Sequence, residues 1–73
     1  MEKDLRAAIA RTVVVNITTA GGDAIAFRGT LVAVGRGSVT IDRADAMVGS
    51  AEARPVDGAT VVPLSRVDWL QVV

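Results

Sequence analysis

The chain has 73 residues, half of them apolar (51%), with thirteen Val, twelve Ala and only two aromatics, Phe27 and Trp69. Eight basic residues against eight acidic ones leave no formal net charge, so the basic excess of a protein that works mainly by phosphate neutralisation is missing. With no His and no Cys, imidazole or thiol catalysis, most zinc sites and disulfide staples are excluded, and a non-enzymatic role without cofactor or metal is expected.

Residues 4–11 (Asp-Leu-Arg-Ala-Ala-Ile-Ala-Arg) predict a short amphipathic helix, capped by Asp4 and with Leu5, Ala8 and Ile9 on one face. From Thr12 the period changes to two. Val13, Val15 and Ile17 share one side of a strand, and Thr12, Val14, Asn16 and Thr18 share the other. Gly21-Gly22-Asp23 supplies a tight turn. A long second strand follows over 24–34, with Ile25, Phe27, Gly29 and Leu31 on one face and Gly29 marking a bend or a close backbone approach.

Gly35-Arg36-Gly37 turns the chain into a short third strand, 38–42, with Val39 and Ile41 inward. Residues 43–59 lose clean alternation and read as a long, mobile excursion with a helical turn around 46–53. Thr60–Leu64 is a fourth strand that Pro63 brings to its end, Ser65-Arg66 a minimal connection, and Val67–Val73 a fifth strand. The expected fold is all-β: a short N-terminal helix, then a strongly bent five-stranded antiparallel SH3-like barrel, in one domain spanning 1–73.

A domain this small buries only about 60% of its unfolded surface when folded alone, which favours oligomerisation. No apolar run reaches the ~20 residues of a membrane span, and Glu2-Lys3-Asp4 with Arg6 and Arg11 does not make a secretory leader, so the expected compartment is the cytoplasm.

A short helix, a long bent strand pair, a variable excursion and two strands joined by a minimal turn resemble the Sm/LSm family of Hfq-type small barrels. The likeness lies in Val13-Val14-Val15-Asn16-Ile17, Gly21-Gly22, the run from Phe27 to Val34 with Gly29 and Leu31, and the run from Val62 to Leu70. The resemblance implies a ring in which the last two strands pair edge to edge between neighbours. It thus points to a cyclic homo-oligomer of about five to seven subunits, an interface of Val61, Val62, Leu64, Val67, Trp69, Leu70 and Val72, and single-stranded RNA as partner class. Small-molecule substrates and membranes are not implied.

The departures from that pattern are chemical. Gly35 stands where the family carries an acid, Gly37, Ser38 and Val39 where it reads a base, and Pro63 and Leu64 where it places a cation. Bases need a stacking plane and a polar edge partner, so RNA binding is expected to be weak, without base specificity, and carried by Arg36, with Arg66, Arg28 and Asn16. The same turn around Arg36 also reads, more simply, as a hairpin tip, and scattered arginines as solvated charges. Asp42, Asp45 and Glu52 read as surface carboxylates rather than ligands of a hard cation, and Ser38 and Ser65 lack an activating base. Trp69 reads as core or interface packing, with a recognition anchor as its alternative. The alternative function is a structural or protein-interaction scaffold with no nucleic-acid role, of a kind suited to a phage.

Overall fold

The computed structural model describes residues 5–48, 54–56 and 58–73. The chain is an antiparallel all-β sheet of β1 (Thr12–Thr18), β2 (Ala24–Val34), β3 (Ser38–Val48), the two-residue β4 (Arg54–Pro55), β5 (Ala59–Pro63) and β6 (Val67–Val72). A 3-10 turn, Leu64–Arg66, joins β5 to β6. The strand order is β4-β3-β2-β1-β6, and β5 pairs with β3 beside β4's position.

The first hairpin forms where alternation and turn chemistry place it. Thr12 to Thr18 pair with Thr30 to Ala24 in unbroken register. Gly22 takes the left-handed backbone conformation (φ 88°) that closes the turn, and the Asp23 amide donates to Thr19 Oγ1 at 3.1 Å.

Among the described residues, eight form the buried core: Ala8, Val13, Val15, Leu31, Val39, Ile41, Ala44 and Val62. A flat sheet with no covering layer could not enclose residues from five segments, so the sheet must curl around its own apolar face. Bulges provide the curvature. Arg28 pairs with Asp45 but Thr30 with Asp42, which puts the extra residue in β3. Arg43 occupies it, with a left-handed φ of 54°. A second shift, between Leu31 and Ala33, leaves Val32 as the extra residue of β2.

Gly29 sits against the first bulge. A Cβ there would lie 2.6 Å from Ile41 Cγ2, 2.7 Å from the Asp42 carbonyl oxygen and 3.0 Å from Ala44 Cα. The close approach anticipated at this glycine is therefore the contact that lets β3 fold over β2.

Three expectations need correction. The helix over 4–11 is not present. Asp4 lies outside the described residues, and Ala7–Ala10 are turns, with Ala8 N–H donating to Leu5 O at 2.9 Å and Arg11 N–H to Ala8 O at 3.0 Å. Ala10 is left-handed (φ 75°), and its N–H is taken by the Leu31 carbonyl at 2.7 Å, while Leu31 N–H donates to Arg11 O. Two turns of helix are too few to hold against such sheet contacts. The segment still contributes: Ala8 is buried and Leu5 packs against the core.

The five-stranded barrel is the second correction, since the strands form an open sheet. β5 and β6 end an open sheet and are not paired with each other, because the three-residue turn carries the chain directly from β3's side to β1's side.

Third, β3 does not stop at Asp42 but continues to Val48, so the excursion expected from residue 43 is much shorter. The bulge at Arg43 shifts the inward parity from Val39 and Ile41 to Ala44, and a strand crossing a bulge loses simple alternation. Part of the helical turn expected at 46–53 is strand, and the remainder lies outside the described residues. Among the described residues, no helix is long and apolar enough to cross a membrane.

Candidate functional site: two free strand edges and an arginine-bearing end

The expected site residues separate into two places. Arg36 is the exposed tip of the β2–β3 turn, where Gly35 N–H donates to Ser38 O at 2.9 Å. Arg66 is exposed at the end of the 3-10 turn. Leu64 N–H donates to Gly37 O at 2.8 Å, which ties these two turns together and puts both arginines at one end of the molecule. Neither has an ion-pair partner among the described residues, where the pair found is Arg43 Nε to Asp42 Oδ2 at 3.9 Å. The hairpin tip and the cationic tip are thus one feature.

Arg28 is elsewhere. It is exposed on the outer face of β2, between Val14 of β1 and Asp45 of β3. Asp45 is its exposed cross-strand neighbour, without an ion pair within 4 Å between them. Asn16, half-buried on the outer side of β1, faces Ala26 on one strand and Trp69 on the other. Cross-strand neighbours stand about 5 Å apart, so Asn16 belongs with Trp69 and not with Arg36. Of the carboxylates, Asp42 is half-buried at the bulge, Asp45 is exposed, and Glu52 lies outside the described residues.

The expected interface residues divide by the parity of their strands. Val62 is 3% exposed and belongs to the core, not to an edge surface. Leu64, Val67 and Leu70 are half-buried and pack against that core from the inner side. Val61 and Trp69 are each 62% exposed, and Val72 and Val73 are exposed at the chain's end. Core packing is therefore not the role of Trp69 in a single chain. Its indole stands on the outer face, while Asp68, the extra residue where the β1–β6 register shifts, accepts a hydrogen bond from Thr18 Oγ1 at 2.5 Å.

Sequence reasoning did not anticipate the groove beside β6. Leu5, Leu64, Val67, Asp68, Trp69 and Leu70 line a depression of about 190 Å³ that is predominantly apolar. Val67 and Leu70 supply half of it, and they share one side only because Asp68 is the extra residue at the β1–β6 register shift, which simple alternation does not show. The other wall comes from Leu5, whose position depends on a turn the pattern reads as helix.

The backbone chemistry of the edges is definite. β5 uses one side for β3 and β6 one side for β1, leaving on each a row of N–H and C=O groups that no strand among the described residues pairs. Unpaired edges of this kind are templates for another strand. No family model matches the chain, and no curated protein sequence matches it.

Proposed function

We propose that this protein is a non-enzymatic assembly module whose copies join through the free edges of β5 and β6, as the resemblance to the Sm/LSm family implies. The observation that carries the reading is the strand order. The last two strands of the chain occupy separate ends of one open sheet, so a heterologous contact between them can repeat from copy to copy until it closes a ring. Exposed Val61, Val72 and Val73 on or beside those edges supply apolar area that such a contact removes from water.

Single-stranded RNA is the proposed partner class, with Arg36 and Arg66 as the contacts. Ring closure would repeat their shared end once per subunit and so concentrate a charge that one neutral chain lacks. The scaffold reading, with no nucleic acid, is favoured by the zero net charge. Native mass from light scattering, measured together with the absorbance ratio at 260 and 280 nm, tests both. A mass several times 7.5 kDa is expected, and a 7.5 kDa species at micromolar concentration overturns the assembly reading. An assembled, nucleic-acid-free protein that binds no RNA at low salt moves the scaffold reading ahead.

A further inference from the structure

The hydrogen-bond parity of the two edges restricts how they can meet, given the assembly reading on which this inference rests. Leu64 N–H bonds Gly37 O in continuation of the β3–β5 ladder. Bonded and non-bonded pairs alternate along an antiparallel ladder. Thr60 and Val62 therefore spend their N–H and C=O on β3, while Ala59, Val61 and the Pro63 carbonyl point to the free edge. On the other side, Val73 N–H bonds Thr12 O in line with the pairing of Val13 with Val72. By the same alternation, Gln71 and Trp69 bond to β1, and Leu70 and Val72 present their N–H and C=O outward.

Pro63 selects between registers. It has no N–H, so placing it opposite Leu70 would leave the Leu70 carbonyl without a donor. Placing Val61 opposite Leu70 sets Ala59 opposite Val72, and every outward group of these residues then finds a partner.

Residues that exchange both bonds project their side chains to the same face. Leu70 projects inward, along the groove of Leu5, Leu64 and Val67. Val61 projects away from its own core and is 62% exposed there. We infer that β5 of one copy docks antiparallel on β6 of the next, with Val61 opposite Leu70, so that Val61 fills the apolar groove of its neighbour. The occupant is a second copy because its edge supplies the missing donors and acceptors, and the exposed valine supplies the matching apolar side chain.

The chain has no cysteine, which permits a test by directed cross-linking. Val61→Cys protein is mixed with Leu70→Cys protein, dissociated, reassembled and oxidised, beside mixtures of Val61→Cys with Val72→Cys and with Trp69→Cys. Preferential cross-linking of 61 to 70 is expected. Preferential cross-linking of 61 to 72 or 69, in protein whose native mass is still oligomeric, overturns the register while leaving the assembly reading standing. A monomeric mass for the unsubstituted protein overturns both. Val61→Glu provides a second route that leaves the core untouched, with far-UV circular dichroism reporting the fold. Burying its carboxylate in the groove should weaken assembly by at least about tenfold with the fold retained, and unchanged assembly would exclude Val61 from the groove.

Discussion

Gly29→Ala tests the bulged crossing on which the core depends. The added methyl would meet Ile41 Cγ2 at 2.6 Å, the Asp42 carbonyl oxygen at 2.7 Å and Ala44 Cα at 3.0 Å. Two of these neighbours are backbone and cannot rotate away. Ile41 is completely buried, so its side chain has no free volume to enter. Overpacking of this kind costs about 1–3 kcal/mol, and because backbone must move, the upper half of that range is expected. The smaller conformational entropy of unfolded Ala returns only about 0.4–1 kcal/mol. The net loss is then about 1–2.6 kcal/mol, a large share of the roughly 4–11 kcal/mol expected for a chain of this length. Urea denaturation followed by far-UV circular dichroism, at matched protein concentration, measures it. Gly37→Ala is the control, since a methyl added there would meet nothing within 4 Å. A Gly29→Ala midpoint equal to that of Gly37→Ala would refute the account of β3 folding over β2.

Thr60 Oγ1 is buried with no hydrogen-bond partner among the described residues, so Thr60→Val should stabilise the chain by about 1 kcal/mol; a loss of stability in the same urea experiment would mean the hydroxyl is satisfied. Arg43 holds a left-handed backbone despite its Cβ, so Arg43→Gly should raise stability by up to about 1 kcal/mol, whereas a loss would show that its side chain, 3.9 Å from Asp42, matters more than its φ. Trp69→Ala should cost the fold less than about 1 kcal/mol, because the indole is 62% exposed. In assembled protein, native Trp69 emission that does not change on dissociation would place the indole away from the contact.

The sequence makes the strands legible where side-chain period and backbone period agree. Alternation from Thr12 and the Gly21-Gly22 turn bracket β1 and the whole of β2. It misleads at β3 for a local reason: one extra residue at Arg43 inverts the inward parity, and the run from Ala44 onward then looks like loop. The N-terminal segment misleads for a different one. Leu5, Ala8 and Ile9 have helical spacing, but Ala10 and Arg11 give their backbone groups to Leu31, a contact 20 residues away in sequence that no local pattern records. Site residues follow the same rule. The adjacency of Arg36 and Arg66 depends on the bond between Leu64 and Gly37, and the grouping of Trp69 with Asn16 depends on β6 pairing with β1, so neither was readable from spacing.

The arginine-bearing end gives the RNA proposal its own test. Arg36 and Arg66 sit on adjoining turns, both exposed, and neither turn carries an aromatic of its own: Phe27 packs toward the core, and Trp69 lies on β6, across from Asn16 and along the groove it shares with Leu64. Binding there must come from phosphate contact rather than base stacking, which forgoes about 1–3 kcal/mol per base. Such binding follows counterion release, with a slope of log K against log salt of about −0.7 for each phosphate neutralised on a single strand. Arg36→Ala should therefore make the slope shallower by about that amount for every subunit in contact, with uridine-rich and adenosine-rich oligomers affected alike. Arg28→Ala should change the slope less, because Asp45 stands directly across from it. Fluorescence anisotropy at a series of salt concentrations reads all three. A slope that Arg36→Ala leaves unchanged, or a marked preference for one oligomer that persists at high salt, would show that RNA is held by stacking elsewhere and would move attention to Trp69 and Asn16.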